Sequence, residues 1–224
     1  MDQRPLALAV LLAAAAAAGC ADNRTTVEIL GRAAPSDATT CKYASTGDFL
    51  LGPGTMDVSA AAPTYATVLY IKNNAADPAT STPGAVTDSK AWRALAAKVR
   101  VNPSSYVGDF APSPALLGYA AENVLPMDGM TTPPGGNAAQ FADLLGQGIG
   151  AQLKGRVAAG ATAKVVLGVT FQGQTLDGAK VDSGEWYMAL EVCNGCLAGL
   201  TCTAPAVLTP GCFGLYQDPA PFCK

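Results

Sequence analysis

The apolar and polar positions of this chain alternate more often than they recur at helical spacing. Tyr65-Ala-Thr67-Val68-Leu69-Tyr70-Ile71 is rich in β-branched and aromatic residues and ends at the turn signal Lys72-Asn73-Asn74, so it predicts a strand. Gly54 to Val58 precedes it as a predicted partner strand. Ala97-Lys98-Val99-Arg100-Val101 alternates small or apolar with charged residues, the pattern of a half-buried strand, and breaks at Asn102-Pro103. Ala163 to Phe171 and Ser183 to Cys193 predict two more strands, separated by the turn-like Thr175 to Lys180.

One segment carries a helical pattern. Ala138, Phe141, Leu144, Leu145, Gly148, Ile149 and Leu153 recur at three and four residues, which predicts a helix with Asn137 at its N-cap and Gln140 three residues on. Gly146 and Gly148 weaken it by about 1 kcal/mol each relative to alanine. Asp88 to Ala96 reads equally as a short capped helix or as loop. Ala75 to Thr87 reads as a long loop, and Pro112, Pro114, Pro126, Pro133 and Pro134 punctuate a loop-rich middle. Short strands spaced by turns imply a mainly β chain: an immunoglobulin-like β-sandwich with one short helix and a disulfide-stapled C-terminal tail.

The start differs from everything after it. Met1-Asp2-Gln3-Arg4-Pro5 leads into an apolar run from Leu6 to Ala18, then Gly19-Cys20. A charged start, a short apolar core and small residues at its end are the parts of a secretory signal. The run is shorter than the roughly 20 residues that span a bilayer. Residues 1–19 are therefore expected to be a signal peptide, 20–40 a polar tether, and 41–224 a single β-rich domain with long loops. Thr26 to Leu30 alternates enough to be a first strand instead of tether.

Ala17-Ala18-Gly19-Cys20 resembles the lipobox of bacterial lipoproteins. That resemblance implies cleavage before Cys20 and acylation of its thiol and amino group. Ala17 stands where the family usually has Leu, so ordinary cleavage nearby, for example after Ala21, is the alternative. Acyl chains contribute about 0.8 kcal/mol per buried methylene, and two or more hold a protein on a membrane without a spanning helix. The expected location is the cell envelope.

Cysteine parity agrees with export. Removing Cys20 from the seven cysteines leaves Cys41, Cys193, Cys196, Cys202, Cys212 and Cys223. Six fit three disulfides in an oxidising compartment. Their pairing is not readable from spacing. The expected set ties Cys193 and Cys196 to Cys212 and Cys223 and leaves Cys41 to Cys202. Cys193-Asn194-Gly195-Cys196 could otherwise be a redox pair or half a zinc site, but it ends a strand, with no thioredoxin-like surroundings.

Phe171 to Trp186, running into Val192-Cys193-Asn194-Gly195-Cys196-Leu197, resembles the C-terminal part of a group of exported lipoproteins from myxobacteria and related bacteria. Gly211-Cys212 to Asp218 and Cys223 are similar to the cysteine-bearing end of that group. Gly54 to Val58 and Tyr65 to Asn74 resemble its first strands more loosely. The resemblance implies a β-rich, exported, lipid-anchored protein and implies no activity.

Composition then removes chemistries. The chain has no histidine, which excludes a Ser-His-Asp triad, a Cys-His pair and histidine zinc sites within it. Charged residues make up 14% and the net charge is −3 with no basic run, which argues against nucleic-acid binding. Gly146-Gln-Gly148-Ile-Gly150-Ala151 fits a loose dinucleotide fingerprint but falls inside the predicted helix. No cofactor and no metal are expected.

Asp177, Asp182 and Glu185 are close in sequence, and glycosidases work with two carboxylates about 5–10 Å apart. Trp186 and Tyr187 should face opposite ways on a strand. The expected function is a lipid-anchored envelope protein with a non-catalytic structural, adhesive or partner-binding role, its expected partners the membrane and an envelope protein. The alternative is a carbohydrate-active or calcium-dependent surface protein using Asp177, Asp182 and Glu185.

Overall fold

The computed structural model describes residues 26–37, 40–75, 89–104, 111–198, 208–209, 212–213, 217 and 222–223. Residues 1–19, expected to be a signal peptide, Cys20 and Cys202 lie outside them. No helix among the described residues is long and apolar enough to cross a membrane.

The strands are β1 (Val27–Arg32), β2 (Gly54–Asp57), β3 (Tyr65–Asn73), β4 (Trp92–Val101), β5 (Ala121–Pro126), β6 (Thr131–Thr132), β7 (Asn137–Leu145), β8 (Thr162–Thr175), β9 (Lys180–Asp182), β10 (Trp186–Cys193), β11 (Leu208–Thr209) and β12 (Phe222–Cys223). One helix, α1 (Gln147–Lys154), lies between β7 and β8. A small sheet has the order β1-β3-β7. A larger one runs β2-β10-β8-β4-β5, with β6 added to β4 and β9 to β8. β11 and β12 pair with each other in the tail.

The core lies between the two larger sheets, because each turns its apolar face inward. Ile29, Tyr65, Leu69 and Ile71 of the small sheet join one buried cluster with Val99, Leu167, Phe171 and Leu190 of the large one. Trp92 is fully buried, and its indole N–H donates to the Val181 carbonyl at 2.8 Å. The strands expected around residues 65–71, 97–101, 163–171 and 183–193 are all present, and the chain is a mainly β sandwich.

Asn102 ends β4, as its pairing with Pro103 predicts, and it does so in the left-handed region at φ 48°. Its side-chain amide donates to the carbonyls of Leu116 and Tyr119 while its oxygen accepts the Val166 N–H at 2.9 Å. Asparagine suits this position because a short polar side chain offsets the left-handed cost with local hydrogen bonds.

Four expectations need correction. Residues 137–145 are strand, and the helix occupies only 147–154. Along β7 positions 138, 140, 142 and 144 are buried at a two-residue period, and Leu145 at its end is buried as well. Gln140 occupies one of them, so the alternation is spatial but not hydrophobic. Its amide is satisfied by Met130, accepting the backbone N–H at 2.8 Å and donating to the carbonyl at 2.7 Å.

Residues 27–32, placed in the tether, are β1 of the small sheet, with Val27 and Ile29 buried and Ile29 opposite Ile71. Gly54–Asp57 does not pair with β3 but runs parallel to β10 in the other sheet, because the chain crosses the sandwich at 58–64. Of the helix considered over 88–96, residues 92–96 belong to β4, with Trp92 and Ala94 buried in strand register. β5 and β6 also lie in the stretch expected to be loop.

Candidate functional site

The C-x-x-C segment sits where β10 ends, beside the end of its parallel neighbour β2. Cys193 is buried and Cys196 exposed, and the two are joined in a disulfide. Asp57, the last residue of β2, is fully buried beneath the loop. Its carboxylate accepts backbone N–H groups from Ser59 at 2.9 Å, Gly195 at 2.7 Å, Leu197 at 2.7 Å and Ala198 at 3.1 Å. Burial pushes the Asp57 carboxyl up, but the backbone donors of Ser59, Gly195 and Leu197 outweigh it and hold the pKa below the usual range.

One Asp57 oxygen and the sulfurs of Cys193 and Cys196 lie within 4.8 Å of one another. A metal would need the thiolate forms of these sulfurs. The Asp57 oxygens already accept two donors each. The arrangement therefore acts as a loop anchor.

The second disulfide joins Cys41 to Cys212, with Cα atoms 5.3 Å apart across a sequence separation of 171. This overturns the expected pairing in which Cys193 and Cys196 reach Cys212 and Cys223. Cys193 and Cys196 have Cα atoms 5.8 Å apart, inside the range a disulfide spans, and each satisfies the other. Cys212 is instead brought to the loop that follows β1. The side chain of Cys223 and all of Cys202 lie outside the description.

The acidic candidates are held by different partners. Asp177 pairs with Lys90 at 2.9 Å and accepts the Thr175 hydroxyl, and those contacts, Thr175 first, lower its pKa to about 2. Glu185 accepts hydrogen bonds from Nε and Nη2 of the Arg100 guanidinium and from the Tyr187 hydroxyl at 2.7 Å. Burial raises the Glu185 pKa, and the hydrogen bonds from Arg100 and Tyr187 bring it below its ordinary value. Asp182, on β9 opposite Gln172, borders a hollow with Gln174, Lys180 and Leu95.

The Glu185 cluster lies on the outer face of the large sheet. Gly168 is opposite both Arg100 and Tyr187 in register. A Cβ there would lie 2.5 Å from a Glu185 oxygen and 3.1 Å from the Tyr187 ring, so glycine makes the space for both. Trp186 packs against the core, whereas Tyr187 serves this outer cluster. Lys98–Glu122 and Lys164–Glu191 continue the charge pairing across the same sheet.

The glycine-rich stretch around 146–151 follows a strand and opens α1, with Gly146 as its N-cap. Yet β7 and β8, on either side, lie in different sheets and pair only antiparallel. The βαβ unit that a dinucleotide fingerprint requires is not formed. Gly150 serves packing instead, its backbone lying against Pro63.

Three further residues could be found only in three dimensions. Tyr43 and Phe213 stack with ring centroids 6.3 Å apart, and Phe213 lies 5.7 Å from Phe141. The Cys41–Cys212 bond draws the first two together, since each follows a bonded cysteine by one or two positions.

Fold and sites define a two-sheet β-sandwich braced by disulfides at its loops and tail. No family model, curated protein or solved structure matches the chain.

Proposed function

We propose that this chain is an exported, lipid-anchored protein of the cell envelope whose sandwich has a non-catalytic structural or partner-binding role. The sequence basis is Cys20, the odd cysteine of seven, in its lipobox-like setting. The resemblance to exported lipoproteins points the same way. The observation that carries the role is the dispersal of the acidic candidates. Asp177 and Glu185 are engaged by separate cations, Lys90 and Arg100, while Asp182 borders a separate hollow. Asp177 and Glu185 hold the fold, and neither stands as an unengaged acid or base.

Intact-mass measurement of the chain recovered from membranes tests the anchor. The expected mass begins at Cys20 and carries the acyl increment. A mass without that increment, or a C20A variant that partitions into membranes unchanged, would remove the anchor.

A second reading, a carbohydrate-active or calcium-dependent surface protein, retains one supporting observation. Asp182 borders an open hollow of about 540 Å³ with Gln172, Gln174 and Lys180. Calorimetric titration with calcium and with oligosaccharides tests it, and no heat from either ends it.

A further inference from the structure

We propose that the edge of the sandwich beside β1 is a membrane-docking surface, with an apolar loop tip that seats in the interface of the bilayer holding Cys20. The inference rests on the lipid-anchored reading and adds which face of the sandwich meets the lipid.

The surface is built on the uncharged run Phe49-Leu50-Leu51-Gly52-Pro53-Gly54. Leu51 is 92% exposed and Phe49 44%. On β1, Val27 and Ile29 are buried while Leu30 is 39% exposed. Leu30, Phe49 and Leu51 line one hollow of about 300 Å³, with Trp186, Met188 and Ala189 of β10 on its other side. Exposed apolar side chains scattered singly are ordinary, but several gathered on one face mark a contact with protein or membrane.

The loop tip is held in place before any contact. Arg32 is buried, and its guanidinium donates to the carbonyls of Gly52 at 2.9 Å and Pro53 at 3.1 Å. The Leu50 N–H donates to the Arg32 carbonyl at 2.9 Å. Phe49 packs over Gly31, where a Cβ would lie 2.8 Å from its ring, and meets Tyr70 edge-on at 5.3 Å. Gly52 turns the chain at φ 86°, a conformation that glycine adopts without steric cost. Prior ordering lowers the entropy lost on binding.

Two observations select lipid as the occupant. Thr26 is the sixth residue after Cys20. An extended chain spans about 3.5 Å per residue, so the start of β1 stands within about 20 Å of the acylated cysteine. Leu30 lies four residues further along the same strand, about 13 Å on. The anchor therefore keeps this edge at the bilayer surface. The second observation is charge. The lining of this hollow includes no carboxylate, and its one charged residue among those described is Arg32. The other apolar hollow, beside β7 at the far edge of the small sheet, includes Asp128, which anionic headgroups would repel.

The test uses the acylated chain recovered from membranes. It is reconstituted into phosphatidylethanolamine–phosphatidylglycerol vesicles whose acyl chains carry bromine, a contact quencher of tryptophan. L51W places a reporter at the loop tip. V124W places one on β5, at the opposite edge of the large sheet. Leu51 and Val124 are both exposed, so neither substitution disturbs the core. The native Trp92 and Trp186 contribute to both variants alike. The added emission of L51W should shift to the blue and be mostly lost in the brominated vesicles, while that of V124W should be retained.

Equal quenching of the two variants, or none in L51W, in a chain that still floats with the vesicles would overturn the docking surface and leave the anchor standing. A blue shift in L51W without quenching would make the occupant a second copy or another protein and would also overturn it. A chain that does not float with the vesicles would remove the anchor and the docking together, so flotation tells the two failures apart.

Discussion

The carboxylate of Asp57 accepts the backbone N–H of Gly195 at 2.7 Å, joining residues 138 positions apart in the chain. Three more N–H groups, from Ser59, Leu197 and Ala198, converge on the same side chain. A buried carboxylate that replaces its water shell with backbone donors is favourable only while all the donors are present. D57A would strand these donors beneath the C-x-x-C loop. The expected loss is about 3 kcal/mol or more, read from urea unfolding. The pKa of Asp57 is lowered by folding, so its stabilisation is present above the unfolded value near 4 and is lost as pH falls through the folded value. The stability gap between wild type and D57A should therefore narrow below about pH 4. A gap that persists unchanged into that range would show that the ionised carboxylate is not its source.

Gly168 and Glu185 form a coupled pair on the outer face of the large sheet. A Cβ on residue 168 would sit 2.5 Å from a Glu185 oxygen, so G168A must displace the carboxylate from Arg100 and Tyr187. The expected cost is about 1–3 kcal/mol, the usual range for overpacking. E185A alone should cost about 1 kcal/mol, because the ion pair with Arg100 is part-exposed. The double variant should be more stable than the sum predicts, since removing Glu185 also removes the clash. Strict additivity in a double-mutant cycle would sink this account.

The strands were legible where runs of apolar side chains coincide with runs of buried positions. Tyr65 to Ile71, Ala163 to Phe171 and Trp186 to Cys193 are examples, each with a continuous buried stretch in its sheet. β7 was not, because Gln140 takes an inward position and the remaining apolar residues mimic helical spacing. The parallel pairing of β2 with β10 was hidden because nothing local encodes which sheet a four-residue strand joins. The site chemistry divides similarly. Asp177 and Glu185 were visible as acids, but their cations, Lys90 and Arg100, are 87 and 85 residues away. Asp57 was visible only as one polar residue ending a short strand. Asn137 has the sequence setting of a helix cap, and its orphaned oxygen emerges only from the packing around β7.

Asp177 offers a test of two partners. Its carboxyl is lowered to about 2; the Thr175 hydroxyl is the largest single cause, and Lys90 contributes both a hydrogen bond and its charge. T175V and K90M should each raise the pKa of Asp177, measured by carboxyl carbon chemical shifts against pH. A rise in only one variant would assign the lowering to that partner, and no change in either would mean the turn geometry is not kept in solution.

The two disulfides should differ in what they contribute. Cys41–Cys212 spans 171 positions, whereas Cys193–Cys196 spans 3. In the loop-entropy account the long closure restricts the unfolded chain by about 5 kcal/mol and the short one by about 2 kcal/mol. C41S/C212S should therefore lower the melting temperature more than C193S/C196S, even though the short loop is the better hydrogen-bonded of the two. Replacing the long bond should also free the stacking of Tyr43 on Phe213, which near-ultraviolet circular dichroism would register as lost aromatic signal. A larger loss of stability from C193S/C196S would reverse the order. It would place the main brace of the sandwich at Asp57 and its loop, because entropy alone gives the short crosslink the smaller share.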